Sequence, residues 1–444
     1  MRSPGSCDGG AAVSKETRTI RIEALSRVEG EGGLNIRLRD GNVESVELRI
    51  YEPPRFFEAF LRGRTPFEVP DIVARICGIC PVAYQMSAVH ALEQAAGLRI
   101  TPEIRRLRRL LYCGEWIESH GLHMHLLHAP DFLNCESGLK AAETYPDEIR
   151  RGLRLKKHGN ELLEVLGGRA VHPINVAVGG FYRAPSQDEV RRLVPNFEWG
   201  LSAAVEATRW VAGFAFPDWE IDYDFVALVH PEEYAMNEGE VVSGRGDRRP
   251  VEEFEQEFEE RQVPHSTALH ALRRSTGEGY FLGPLARVHL SFDRLSPIAR
   301  RTAEEIGFRI PCLNPFRAII ARGLELIHAY EEALSILRSY RPPAMPRIEV
   351  ASYVGEGCAA TEAPRGLLYH RYVVNDAGQI AFAKIVPPTS QNQHQMESDV
   401  AAWIPRVLGE SDDVVARSCE RVLRCYDPCI SCSTHFLRVR WERL

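Results

Sequence analysis

Arg75-Ile76-Cys77-Gly78-Ile79-Cys80-Pro81, taken with Asp427-Pro428-Cys429-Ile430-Ser431-Cys432-Ser433-Thr434-His435 near the other end, decides how this chain is organised. One Cys-x-x-Cys pair says little, since the spacing serves redox pairs and half zinc sites and also arises by chance. Zinc ribbons place their two pairs roughly 15–20 residues apart, so that a small loop closes around the ion. Here the second pair begins 349 positions after Cys80. A metal held by such distant segments sits inside a finished fold and does not nucleate a small one. Cys80 directly precedes Pro81, a residue suited to a first helical position. Its sulfur therefore lies near a helix N-terminus, where the dipole favours thiolate over thiol. Asp427-Pro428 imposes an extended or turned approach on the second pair. Four soft sulfur donors suit nickel, iron or zinc, and softness alone does not choose among them.

Around these runs lies an ordinary globular composition, with 44% hydrophobic and 26% charged residues in 444. That length holds one large core or two to three modest domains. A net charge of -7 argues against nucleic-acid binding. The basic run Arg105-Arg106-Leu107-Arg108-Arg109 is offset by the acidic stretch Glu252 to Glu260, and both read as solvated helix faces. No apolar stretch approaches the roughly 20 residues of a membrane-spanning helix. Met1 to about Arg18 is rich in Gly, Ser and charge, and reads as a disordered lead-in, not a signal peptide. Eleven cysteines in this length do not describe a secreted disulfide scaffold, so the paired spacing points to metal or catalysis.

Alternation predicts strands at Ile20–Glu23, Gly33–Arg39 and Val43–Ile50, with Asp40-Gly41-Asn42 as a turn. After Pro81 the period becomes helical, with Val82, Met86, Val89 and Leu92 on one face. A long helix is predicted from Pro102 towards His128, and others near 147–166, 187–212, 316–340 and 395–425. The polar region 220–290, with its turn Ser243-Gly244-Arg245-Gly246-Asp247, reads as a small meander or an insertion. Val350–Val354 and Leu367–Ile385 again read as strands, the latter turning at Asn375-Asp376-Ala377-Gly378. There is no internal repeat and no low-complexity linker. The expected class is α+β, a helix-dominated single large unit with small β regions at both ends.

At this point the two cysteine runs resemble the paired signatures of nickel–iron hydrogenase large (alpha) subunits. Arg27-Val28-Glu29-Gly30 resembles the N-terminal motif of that family, and Pro54-Arg55-Phe56-Phe57-Glu58 resembles its distal magnesium segment. Glu362-Ala363-Pro364-Arg365-Gly366 and Val386-Pro387-Pro388-Thr389 resemble the segments around the diatomic ligands of the iron. Six motifs in order are far more specific than any one. The resemblance implies the large-subunit fold with its central helical bundle over residues 19–435, between the lead-in 1–18 and an extension, 436–444, that is removed on maturation. It makes Cys77 and Cys429 terminal nickel ligands and Cys80 and Cys432 bridges between nickel and iron. The iron would carry carbon monoxide and cyanide, with Arg365, Pro388 and Thr389 around them; a guanidinium fork and a hydroxyl are suitable donors. Asp131, in Ala129-Pro130-Asp131-Phe132, resembles the acid that pairs with the iron-side arginine. Glu58 and His435 resemble the magnesium ligands.

The implied reaction is reversible heterolytic cleavage of dihydrogen, which needs a base beside nickel. A guanidinium is a poor base, so the Cys429 thiolate is favoured, passing the proton to Glu29, whose pKa a partly dry site can raise. The ordinary alternatives are a surface ion pair with Glu362 for Arg365 and a turn-capping carboxylate for Glu29. The chain departs from the family at Tyr84, where members commonly have a histidine donating to a bridging sulfur; a tyrosine hydroxyl can donate from a different reach. His90, further along that helix, reads as a packing or surface residue. His120, His123, His125 and His128 lack the Glu-flanked spacing of a zinc hydrolase and read as packed histidines. Cys7, Cys113, Cys135, Cys312, Cys358, Cys419 and Cys425 read as structural thiols, and no nucleotide loop is visible.

No separate iron–sulfur motif is present, so an iron–sulfur small subunit is implied. The motifs look most like the cytoplasmic NAD(P)-linked or sulfhydrogenase-type alpha subunits, which adds diaphorase-type flavin/iron–sulfur subunits, metal-insertion proteins and a maturation endopeptidase as expected partners. Two alternatives stand beside this: a complex I-like quinone-site subunit, which lacks these cysteines, and a scaffold with a structural zinc site. Nickel and iron in equal amounts would discriminate against both.

Overall fold

A computed structural model describes residues 17–350 and 352–434. His435, the extension 436–444 and most of the lead-in lie outside the described residues. The first strand, Thr17–Ile22, begins inside the expected lead-in and pairs antiparallel with Gly32–Arg39, which pairs with Asn42–Ile50. Alternation buries Leu34, Ile36 and Leu38 on one face and turns Arg37 and Arg39 outward.

The centre is helical. Pro102–Leu122, capped by the Thr101 hydroxyl accepting from Ile104 N at 3.3 Å, packs on Pro146–Gly167 and on Ala318–Ser339, which packs on Val194–Ala212. Several predicted helices break where proline denies an amide hydrogen and crowds the preceding turn. The long helix ends at Leu122 and continues as a π-helical segment, His123–His128, before Pro130. The predicted 187–212 helix divides into Gln187–Arg191, closed by a Ser186/Glu189 capping box, and Val194–Ala212 with Pro195 in its first turn. The predicted 395–425 helix is two, Pro388–Trp403 and Asp412–Arg424.

Other expectations are corrected by burial. Arg108 and Arg109 do not lie on a solvated face. Arg108 is fully buried with both ends of its guanidinium on Glu93, and Arg109 is buried against Glu332 and Glu233. Region 220–290 is no insertion. Its strands Val226–Val229 and Phe258–Gln262 contribute Val226, Leu228 and Phe258 to a core shared with Leu367, Tyr369 and Val386. It looked polar because Arg273 is buried among Asp224, Asp247 and Glu257, a charge cluster that composition reads as surface. No strand covers the described residues of Val350–Val354; the strand begins at Gly355. Leu367–Ile385 does form the expected pair, Gly366–Val374 and Ile380–Val386, completing a three-stranded antiparallel sheet with Gly355–Ala363. Among the described residues no helix is long and apolar enough to cross a membrane.

That C-terminal sheet lies directly on the Pro81–Ala95 helix, whose N-cap residue is Cys80. The approach requires glycine at position 357. A Cβ there would sit 2.1 Å from the Ala91 carbonyl oxygen and 2.6 Å from the Ala95 nitrogen, both backbone atoms that cannot swing aside. Gly357→Ala is expected to cost about 3 kcal/mol of stability by overpacking, read as the shift in a urea-unfolding midpoint. A cost under about 0.5 kcal/mol, the range of neutral surface changes, would show that sheet and helix are not in this contact.

Candidate metal centre

Two turns from opposite ends of the chain meet here. In the first, Cys77 Sγ accepts from the amides of Ile79 and Cys80, each at 3.3 Å, which folds the Cys-x-x-Cys loop around its own sulfur. Pro81 then starts the helix, and the amides of Val82 and Ala83 donate to the buried Glu115 carboxylate at 2.6 and 3.1 Å. The second turn is set by Asp427, which adopts a left-handed φ of 56°. Arg365 Nε donates to the Asp427 carbonyl at 2.7 Å and Nη2 to its carboxylate at 3.1 Å, both residues being buried. The next amide but one, Cys429 N, donates to Thr389 Oγ1 at 3.0 Å.

The N-terminal motif closes the arrangement. Glu29 and Cys429 form a parallel bridge, Ile430 N donates to the Glu29 carbonyl at 2.9 Å, and Ser431 N donates to Glu29 Oε2 at 3.1 Å. Gly30 permits this approach: its φ is 87°, and a Cβ would lie 2.6 Å from Glu52 Oε1 and 2.8 Å from Ile430 Cβ. Arg55 clips the two turns together, its Nη2 donating to the carbonyls of Ile76 and Ser431.

The result is four buried cysteine sulfurs, none in a disulfide, lying within 4.8 Å of one another. Cys77 and Cys429 are 3.5 Å apart, Cys80 and Cys432 3.7 Å, Cys429 and Cys432 2.8 Å. The Cys429 thiol donates to Glu29 Oε2 at 3.0 Å. Hydrogen bonds from Cys429, Cys432 and Cys80 pull the Cys77 pKa well below the usual thiol range, while burial and the neighbouring sulfurs push Cys429 well above it. Burial by itself would lower the Arg365 pKa, but Asp427 and then the sulfurs of Cys429, Cys80 and Cys77 hold the guanidinium charged. Its Nη1 is buried with no hydrogen-bond partner among the described residues. Soft anionic donors beside an unspent cationic donor fit a thiophilic metal pair with small anionic ligands.

Most residues expected at the site are brought together, and one is not. Asp131 does not pair with Arg365. It accepts from Arg424 at 2.7 and 2.8 Å and from Arg27 at 2.5 Å, in a separate buried cluster. The acid on Arg365 is Asp427, overlooked because Asp427-Pro428 was read only as a turn. Thr389 spends its acceptor on the Cys429 amide and keeps its hydroxyl hydrogen to donate; Pro388 begins the helix that carries it. Of the magnesium pair only Glu58 is described, its carboxylate accepting from Ile385 N at 2.8 Å. Tyr84 is buried, and burial first, the Cys432 and Cys80 sulfurs next, raise its hydroxyl well above 10, so it remains a donor beside them. The four histidines are buried and dispersed among partners, His120 on Glu325 at 2.9 Å and His123 on the Arg424 carbonyl at 3.1 Å, and do not form a ligand set. Glu115 and Arg55 were missed as site residues. Arg55 stood inside a quoted motif, whereas Glu115 carries no local signal.

Four buried thiolates from both ends of one chain, with the Glu29 carboxylate on one of them, form a metal-binding centre. The family model for nickel-dependent hydrogenases matches residues 55–151 and 325–435. The chain is 33% identical over 441 residues to the sulfhydrogenase 1 subunit alpha of Pyrococcus furiosus, covering 95% of this chain and 98% of that one. It is 27% identical to the NAD-reducing hydrogenase HoxS subunit beta of Cupriavidus necator over 95% of each chain. A solved NAD+-reducing [NiFe]-hydrogenase in its H2-reduced state superposes with a TM-score of 0.85 at 27% identity, over 94% of this chain and 99% of that chain. The protein belongs to the nickel-dependent hydrogenase family. It is a large catalytic subunit, and the four cysteines are the metal-binding group of its nickel–iron centre.

On the Pro388–Trp403 helix, Asp399 accepts from the hydroxyls of Tyr223 and of Tyr426, which precedes the second cysteine turn, each at 2.6 Å, and from Gln395 at 2.9 Å. Burial raises its pKa from 3.8 to about 6, against the pull of these hydrogen bonds. The folded chain thus keeps a proton that the unfolded chain has released. The stabilisation is full below pH 3.8 and is lost as pH rises through about 6. Asp399→Asn removes this titration, so the stability advantage of the wild type over the variant is expected to shrink from about pH 4 to about pH 7 in urea melts. An advantage that stays level or grows with pH would count against it.

Proposed function

We propose that this subunit cleaves dihydrogen heterolytically and reversibly, with the Cys429 thiolate taking the proton and Glu29 carrying it away. The observation that carries this reading is the 3.0 Å contact between Cys429 Sγ and Glu29 Oε2 at the edge of the four-sulfur cluster. Cys77 and Cys429 would hold the nickel, and Cys80 and Cys432 would hold nickel and iron together. When bound, the nickel–iron pair supplies the electrophile that polarises dihydrogen and accepts its electrons. The iron would carry carbon monoxide and cyanide, and Arg365 Nη1 and the Thr389 hydroxyl beside Pro388 would donate to the cyanides. That role is consistent with the buried, unpartnered state of Arg365 Nη1. Arg365 is no base, since Asp427 and the sulfurs hold its charge. The buried Tyr84 hydroxyl would donate to the Cys432 sulfur in place of a histidine. Glu58 and, from outside the described residues, His435 would hold a magnesium ion.

Electrons leave to an iron–sulfur small subunit and pass to NAD(P) or a similar soluble acceptor through diaphorase-type flavin/iron–sulfur subunits. Metal-insertion proteins and a maturation endopeptidase complete the centre, and the enzyme works in the cytoplasm. Support for this assembly is the likeness to a sulfhydrogenase alpha subunit and to a subunit of an NAD-reducing hydrogenase.

Two measurements test the reading. The purified complex is expected to hold nickel and iron in equal amounts and to show infrared bands of metal-bound carbon monoxide and cyanide; zinc alone, or no metal, refutes it. Glu29→Gln is expected to retain both metals and lose about 100-fold or more of dihydrogen-oxidation rate, the scale of a removed proton carrier. A variant with full activity would place the proton route elsewhere.

A further inference from the structure

A second group of ligand-type side chains lies away from the four cysteines. His265 sits in the loop of the hairpin between Phe258–Gln262 and Leu269–Arg273, His270 lies in the second strand, and Glu397 is on the Pro388–Trp403 helix. One ring nitrogen from each histidine and a carboxylate oxygen all fall within 4.8 Å of one another. His265 Nε2 is 2.8 Å from Glu397 Oε1, and His270 Nδ1 is 3.9 Å from Glu397 Oε2. The second distance is too long for a hydrogen bond, so the buried His270 ring faces a carboxylate oxygen without bonding to it. Two ligands each about 2.1 Å from a tetrahedral zinc ion lie about 3.4 Å apart, and the two observed separations bracket that value.

The three residues are held in place independently of any ion. Leu48 N, on the Asn42–Ile50 strand, donates to Glu397 Oε1 at 2.7 Å, which fixes the carboxylate. Thr267 anchors the loop, its amide donating to the Ile50 carbonyl at 2.8 Å and its hydroxyl to the Glu52 carbonyl at 2.8 Å. His265 is the most exposed of the three, at 21% of its side-chain surface, which leaves a side open for a water as fourth ligand.

We propose that His265, His270 and Glu397 form a second metal site that takes one zinc ion, with water as the fourth ligand. The ion clasps the 263–270 segment to the helix whose first turn presents Thr389 to the Cys429 amide, and through Leu48 to the N-terminal sheet. Its role is structural: it joins the hairpin, the Pro388–Trp403 helix and the Asn42–Ile50 strand, which already pack on one another.

The test uses the holoenzyme complex with its nickel–iron centre filled, freed of loosely held metal by dialysis against a weak chelator. Zinc chloride is titrated and bound zinc measured by elemental analysis, and cobalt chloride is used as a spectroscopic probe. The expected result is one zinc per chain in addition to nickel. The cobalt form should show the visible bands of a four-coordinate nitrogen/oxygen site without near-ultraviolet thiolate charge transfer. His265→Ala and Glu397→Gln are each expected to weaken zinc binding about 100-fold. If a variant fails to fold, the wild-type cobalt spectrum decides alone. No additional zinc in the wild type, thiolate charge-transfer bands in the cobalt form, or unchanged affinity in folded variants would each overturn the site.

Discussion

The rest of the molecule answers to one electrostatic problem, that of keeping four cysteine sulfurs within 4.8 Å of one another and away from water. Without metal the four cannot all ionise, because each thiolate would be buried beside three others. The protein responds by sharing protons, with Cys77 drawn towards thiolate by its neighbours and Cys429 held as a thiol on Glu29. Metal entry must release those protons, so loading is coupled to deprotonation. The charges that remain need a permanent counter-ion, which is Arg365, and Arg365 in turn needs Asp427 to make its own burial tolerable.

This problem explains why the site draws on so much of the chain. Neither cysteine turn is stable as an isolated loop. The first borrows Glu115 from the next helix to satisfy Val82 and Ala83, and the second borrows Glu29, Thr389 and Arg365 from three further segments. Arg55 then spans Ile76 and Ser431, so a displacement of either turn is felt by the other. Fold and centre are completed together.

What could be read from the sequence follows from the same physics. The N-terminal strands, the Pro81 helix and the Asn375–Gly378 hairpin were legible because period and turn chemistry are local. The cysteine pairs, Glu29 and Arg365 were legible because their motifs are short and specific. Arg108 and the 220–290 region were misread, since a charged side chain with a distant buried partner looks the same in one dimension as a solvated one. Asp131 was assigned to the wrong arginine for a related reason: three arginines with buried acidic partners, Arg27, Arg365 and Arg424, lie in one part of the fold, and sequence does not match acids to bases.

Arg287 carries the argument one layer deeper. It is fully buried, donates to Glu325 and Glu362, and also reaches the carbonyls of Ala363 at 2.8 Å and Pro364 at 3.0 Å. Burial by itself would raise the Glu325 pKa, yet Arg287 and His120 hold it at about 2, so this pair is ionised at any working pH. A buried ion pair of this kind is weak evidence for stability, since apolar residues of similar volume often do as well. What apolar residues could not do is hold two consecutive carbonyls immediately before Arg365. The network fixes the backbone from which Arg365 reaches Asp427 and the sulfurs. Its cost is therefore better understood as positional, spent on where one guanidinium points and not on keeping the bundle folded.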